Sequence, residues 1–435
     1  MIQKIFKISY LFLFIAVGFV HSSQVVDIVG IQWFYLANLN GLFLLYILYQ
    51  NLFKKEKNEI FFKNPINIFY SLYFIFCLIS LYFSINNSVS LIALSKIFLM
   101  LTSLYIFHEL NIFKKLSLIN ISLLFSSLLV LEIAYSISGY FKIIKITEFE
   151  FSMASSFLKG IASNKNITSA SIAFKIPFLY LLFYNLKNKI LKGILLLITT
   201  LAFFNLILLS SRAIIVSFLL CVLFYILVTL FEIIRSKTLI KKHIFNFTYF
   251  IIPIFFSIGV SYYILNDSSL KVDNRISTIN KNDESSNTRI RYYKKGIQYF
   301  FQHPIVGAGI GNWQIISIEL DSENIESYIV PYVAHNDFIE VLTETGLFGG
   351  MFYVLFICST LYFLISKYLS ENNFKEKNNL IYLTFPFIIY FIDLNLNFPQ
   401  YRPLMQSSLI VYMLYVYCLY SKKEKKQSWK LCIVK

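Results

Sequence analysis

The feature that most constrains this chain is a recurrence. Apolar runs long enough to cross a bilayer follow one another from residue 5 to residue 420, separated by short polar segments. A membrane-spanning helix needs about 20 mainly apolar residues, because it rises about 1.5 Å per residue through about 30 Å of hydrocarbon. Twelve runs meet that requirement, at 5–21, 31–50, 66–84, 89–107, 116–138, 167–186, 193–209, 213–234, 244–265, 347–366, 379–395 and 403–420. A backbone in lipid must satisfy its own hydrogen bonds, so runs of this length fold as helices. The fold class expected is all-α and polytopic, with about 12 transmembrane helices. Composition excludes the soluble alternatives: 57% of residues are hydrophobic and only 14% are charged, against about 25% charged in an ordinary globular domain.

The net charge of +16 would invite a nucleic-acid partner, but its location argues otherwise. Lysines and arginines cluster in alternate loops: Lys54, Lys55, Lys57 and Lys63, then Lys114 and Lys115, then Lys187, Lys189 and Lys192, and again in the tail from Lys422. The short loops 22–30 and 85–88 between them carry none. Basic residues stay on the cytoplasmic side of short loops. The surplus therefore encodes orientation, with both termini cytoplasmic and the basic face toward anionic membrane lipid; no nucleic-acid partner is expected. Lys4, Lys7 and the apolar stretch after them are compatible with a cleaved signal peptide, but a retained anchor is the preferred reading. The expected organisation is N-terminal helices at 1–138, a second membrane region at 139–420, and a basic tail at 421–435. The five cysteines, at 77, 221, 358, 418 and 432, have neither paired nor metal-ligand spacing.

On the outer face two segments exceed a simple turn, 139–166 and 266–346. Long loops in compact proteins are usually functional or disordered, and the second is the expected site, on the outer side of the membrane. It opens with a polar stretch, Asn266–Asn287, and continues into TRIRYYKKGIQYFFQHP. There Ile290, Tyr293, Ile297 and Phe300 or Phe301 recur at helical spacing while Arg289, Lys294, Lys295 and Gln298 fall elsewhere. That pattern fits a helix lying on the membrane with its rings down, and fits equally a basic interfacial helix with no catalytic part. GAGIGNW at 307–313 offers backbone N–H groups to a phosphate, with Gly309 at its centre, although the spacing is not the dinucleotide fingerprint and a plain turn is the simpler reading.

AHNDF at 334–338 sets His335 where a loop meets a helix, with Asn336 and Asp337 able to cap that helix. No second histidine stands at i+4, so a zinc pair is absent and no metal is expected; His335 suits a base instead. Arginine is scarce, six of 39 basic residues, yet Arg212, Arg289, Arg291 and Arg402 occupy outer-face positions. A guanidinium binds phosphate through a rigid fork, although any one of them also fits a side chain snorkelling to the headgroups. Lys96, Glu132, Lys175 and Asp393 stand inside apolar runs, where charge is costly and marks function by default. Lys175 follows SNKNITSASIAF and is placed on the same cavity as the arginines, whereas Lys96 and Glu132 fit mere pairing or snorkelling.

Taken in order, these pieces resemble the O-antigen ligase and polymerase superfamily of bacterial membrane glycosyltransferases. The matching segments are GIASNKN at 160–166 with Pro177, SSR at 210–212, Arg289 ahead of His303-Pro304, GAGIGNW, AHNDF with Glu344 and Gly346, and NFPQYRP at 397–403. The resemblance covers 160–402, and the earlier helices match by hydropathy alone. It implies a GT-C-like helical architecture and transfer of a glycan from an undecaprenyl pyrophosphate carrier at the periplasmic face of the bacterial inner membrane, without cofactor or metal and with inversion expected at the anomeric carbon. The acceptor it implies is a lipid A-core sugar for a ligase, another carrier-linked repeat for a polymerase, or a protein hydroxyl for a related transferase. It casts His335 as general base, with Arg289 and Arg212 as catalytic cations. Arg291, Arg402, Lys175, Asn336, Asn166 and Gly309 are the expected substrate contacts. A lipid-linked glycan transporter is the rival class, but transporters place polar sites near the midplane within repeats, whereas here polarity concentrates in one late loop.

Overall fold

In a computed structural model the described residues are 2–21, 25–53, 60–147, 158–235, 240–264, 284–324 and 331–433. Among them every regular element is helical. Eleven helices are long and apolar enough to cross a membrane, so this is a multi-pass membrane protein.

The chain divides into two compact units whose segments interleave in sequence. The first comprises Met1–Lys115, Lys281–Leu369 and Leu394–Lys435. Its helices are α1 (Ile2–Ile15), α2 (Ile28–Phe53), α3 (Pro65–Tyr82) and α4 (Asn87–Leu110). The second unit, Leu116–Asn280 with Ser370–Asp393, holds α5 (Leu118–Thr147), α6 (Lys165–Asn185), α7 (Lys189–Leu209), α8 (Arg212–Arg235), α9 (Ile240–Ile264) and α13 (Phe374–Leu396) as far as Asp393. The first unit resumes with α10 (Glu284–Gln302), α11 (Trp313–Asp321), α12 (Asp337–Leu369) and, at the end of the chain, α14 (Pro403–Ile433).

Asparagine starts several of these helices. The side chains of Asn64, Asn86, Asn164 and Asn188 each accept from backbone N–H groups in the first turn of α3, α4, α6 and α7. This satisfies donors that an apolar surrounding leaves exposed. In the second unit α6 is nearly all buried, with α5 and α7 packed against it. Leu42, Leu45 and Leu48 on α2, and Phe255 and Phe256 on α9, are exposed as a lipid-facing surface would be.

Three sequence expectations change. The first apolar run is a short apolar helix over Phe6–Phe19 rather than one of spanning length. It is packed into the first unit, with Tyr10 and Phe14 fully buried and the Tyr10 hydroxyl donating to Asn40 Oδ1 at 2.9 Å. The tenth span, read as starting at 347, belongs to a helix that begins at Asp337. Asp337, Glu340 and Glu344 interrupt the hydropathy, but all three are fully buried on one helical face and held by partners or by the junction around them. The helix kinks at Gly346 (φ 70°, ψ −168°), a region essentially confined to glycine. Finally, the loop 266–346 contains α10, α11 and the head of α12. Its polar opening, 266–283, lies outside the described residues.

Candidate active site

The head of α12 organises one end of the first unit. Asn336 caps the helix, its Oδ1 accepting from Ile339 N at 3.1 Å. The residue before it, His335, turns the chain into the helix with φ of +59°, a conformation that L residues with a side chain adopt at a cost. Two contacts hold that turn. The Tyr293 hydroxyl on α10 sits 2.9 Å from the carbonyl oxygens of both His335 and Asn395. Glu340, one turn into α12, accepts from Ala334 N through Oε2 at 2.6 Å.

Glu340 Oε1 also accepts from Gln400 Nε2 at 3.2 Å and from the Tyr401 hydroxyl, while Asp337 Oδ2 accepts from Gln400 N at 3.0 Å. The segment 397–403 is thereby tied to the head of α12. It brings Phe398 against the His335 ring, centroids 5.4 Å apart and edge-on, and sets the Arg402 guanidinium 5.0 Å above the same Phe398. Arg402 Nε and His335 Nδ1 are both buried without a hydrogen-bond partner. Burial holds the Arg402 guanidinium below its usual proton affinity.

The electrostatics follow from this packing. Burial first, and the Arg289 charge second, push the His335 imidazole down to about 4. It is therefore neutral at neutral pH and able to take a proton. Burial raises the Tyr293 and Tyr401 phenols, the latter also through Glu340, so both remain protonated donors.

The remaining expected residues separate. Arg291 is bound to Asp321 on α11, Nε to Oδ1 at 2.9 Å, with Lys295 on the same carboxylate at 3.2 Å. That pair joins α10 to α11, which leaves Arg289 as the α10 cation that acts on the histidine. Asn336 serves as cap and donates to Asn395 Oδ1 at 3.3 Å. Tyr293, expected to face the membrane, points inward instead, while Ile290, Ile297 and Phe301 stay exposed.

The glycine run is a structural junction, not a phosphate cradle. Ala308 N and Gly309 N donate to the carbonyls of Thr343 and Glu344 at 3.0 and 2.9 Å, and Ile310 N donates to Ser80 Oγ at 3.1 Å. Trp313 N donates to Glu344 Oε1 at 2.8 Å. The amide of Gly309, an expected substrate contact, is committed to α12. Leu347 N closes the junction from the other side, donating to Pro304 O at 2.8 Å.

Arg212, Lys175 and Asn166 belong to the second unit. Arg212 opens α8 two residues after Ser210, whose left-handed conformation ends α7. Asn166 stands in the first turn of α6, its N–H donating to the Asn164 cap at 3.0 Å. Lys175 departs from expectation. Its ammonium is fully buried and bonds Glu132 Oε1 at 2.9 Å, with Ser171 O at 3.2 Å. The partner of Glu132 is therefore Lys175 and not Lys96, and the pair lies buried within the helix bundle of the second unit. Ser171, one turn before it and hydrogen-bonded to both Glu132 oxygens at 3.1 Å, completes the pair.

Sequence reading missed Glu340, Phe398, Gln400 and Tyr401. The available signal was a carboxylate one turn beyond a cap and two aromatic residues flanking the last proline turn. Among the described residues no three His, Cys, Asp or Glu side chains are gathered as metal ligands. No curated protein matches the chain. Residues 195–354 match the family described as O-antigen ligase, an interval that runs from α7 past the kink of α12 and includes Arg212, Arg289, Gly309 and His335. Over that interval the chain is similar to the O-antigen ligase family.

Proposed function

We propose that this protein is a membrane glycosyltransferase of the ligase type, moving a glycan from undecaprenyl pyrophosphate to a hydroxyl of lipid A-core at the periplasmic face of the inner membrane. The observation that carries the reading is the packing of the half-buried His335 ring and the Arg402 guanidinium on the same Phe398 at the head of α12, with the Arg289 charge also acting on the imidazole. In the transfer, the acceptor oxygen attacks the anomeric carbon and its proton passes to the His335 imidazole. The bond from that carbon to the carrier pyrophosphate breaks, with inversion. The pyrophosphate leaves with the electron pair, and Arg289 and Arg402 stabilise the charge it gains, a preorganised electrostatic role.

The low proton affinity of His335 fits this sequence of events. A diphosphate beside Arg289 offsets the cation that depresses the imidazole, so donor binding raises its affinity for a proton when the acceptor must lose one. Tyr293 and Glu340 hold the backbone around His335 in position; they act through it.

The test is a one-pot reaction in detergent with purified protein, a carrier-linked glycan and lipid A-core, without any sealed vesicle. Appearance of glycosylated lipid A-core with release of undecaprenyl pyrophosphate is expected. Elongated carrier-linked glycan in its place would identify a polymerase, and no transfer to any acceptor would return the transporter reading.

A further inference from the structure

A second, larger site lies at the other end of the first unit, and it is independent of the transfer reading. Helix α14 starts beside Arg402 and reaches Lys422 after the 20 residues Pro403–Lys422, a rise of about 30 Å, the depth of the hydrocarbon core. At the Lys422 end there is a cavity of about 530 Å³ between the foot of α3, the end of α4 and α14. Lys63, Lys114 and Lys422 stand at its lining, with Phe107, Phe113 and Leu414 forming an apolar wall, and no Asp or Glu is among the described residues that line it. Cys418, on the same lining, donates to Phe113 O at 3.3 Å and so ties α14 to the segment that carries Lys114.

A polar observation adds to this. Asn67, at the foot of α3, is 1% exposed and lines the same cavity. Its Nδ2 donates to Phe61 O at 3.0 Å, which fixes the amide orientation, and its Oδ1 is buried with no hydrogen-bond partner. The site thus offers cations, an unused acceptor and a greasy wall. A hydrocarbon ligand alone would make no use of the lysines on the lining, and a small anion alone would leave the wall unfilled.

We infer that this cavity seats one anionic phospholipid with a hydroxyl-bearing headgroup, its phosphate on Lys63, Lys114 and Lys422, its headgroup hydroxyl on Asn67 Oδ1, and its acyl chain along Phe107 and Leu414. The location agrees with the chemistry, because this end of the unit carries the lysine-rich loops and therefore faces the leaflet whose anionic lipids attract them.

The experiment counts lipids retained by the full chain in native mass spectrometry, during titration with phosphatidylglycerol or phosphatidylcholine of identical chains. One phosphatidylglycerol is expected to bind at least tenfold more tightly than phosphatidylcholine. Lys114→Ala and Lys422→Ala are each expected to weaken it about fivefold, the ordinary contribution of one lysine near an anionic lipid. Lys187→Ala, an exposed lysine outside the cavity, is expected to leave it unchanged. Leu414→Trp keeps every charge but fills the wall, and is expected to reduce retention as well. Equal retention of the two lipids, an undiminished preference in Lys114→Ala/Lys422→Ala, or loss only with charge and none with Leu414→Trp would overturn the inference. Displacement of the lipid by millimolar inorganic phosphate would reassign the cavity to a free anion.

Discussion

Replacing Arg289 with Gln removes the cation that faces His335 and keeps a polar side chain in its place. The imidazole stands at about 4 in the folded protein against an ordinary 6.5, a gap of about 2.5 pH units. Burial supplies the larger part and Arg289 the smaller. Loss of the guanidinium should therefore return less than half of the gap, raising the titration by about 1 pH unit at most. The sign extends to stability. With its folded value below the unfolded one, His335 favours folding above pH 6.5, and that contribution is lost as pH falls toward 4. The assay is an NMR titration of histidine-labelled protein in micelles, with His335 assigned by its disappearance in His335→Gln. The expected result is a His335 transition near pH 4 that moves upward in Arg289→Gln, and upward in the parent protein when a pyrophosphate-bearing lipid is added. A transition near 6.5 in the parent protein, or one indifferent to Arg289, would refute the electrostatic coupling.

Two further substitutions separate architecture from chemistry. Gly346→Ala places a Cβ 2.3 Å from Ile305 O at a backbone conformation closed to other residues; a cost of at least about 1–3 kcal/mol should appear as a lower midpoint in a thermal unfolding scan in detergent, and an unchanged midpoint would contradict the junction described. Lys175→Met leaves the fully buried Glu132 without its cation, so a loss of about 3–5 kcal/mol is expected, whereas Lys175→Met/Glu132→Leu should recover most stability and retain glycan transfer. If the double variant folds but cannot transfer, Lys175 touches substrate after all.

The membrane architecture was legible because hydropathy is a local property: each span needs only its own residues to declare it. The boundary at 347 failed for the converse reason. Asp337, Glu340 and Glu344 look like the end of an apolar run until the partners that bury them, from 311–313, 334 and 400–401, are known. The site was half legible. His335 stood out through its position at a cap, and Arg289 through the scarcity of arginine, but their meeting depends on Tyr293 and on a segment about 60 residues further along the chain. Long-range pairing of this kind leaves no periodic trace. The pairing of Lys175 with Glu132 was not legible because a lone intramembrane lysine reads as functional, and Glu132 lies on a different helix. The glycines of 307–311 were ambiguous between a turn and a cradle, and only the donors of Ala308, Gly309 and Ile310, all spent on protein acceptors, decide between them.

The most direct measurement is the rate of glycan transfer by purified His335→Ala beside Arg289→Ala and Arg291→Ala, each checked for insertion and monodispersity. A loss of at least about 100-fold is expected for His335→Ala, the low end of general-base contributions. A comparable loss is expected for Arg289→Ala, and a clearly smaller one for Arg291→Ala, whose guanidinium is held by Asp321. Undiminished transfer by His335→Ala would contradict the assignment of the head of α12 as the reacting centre.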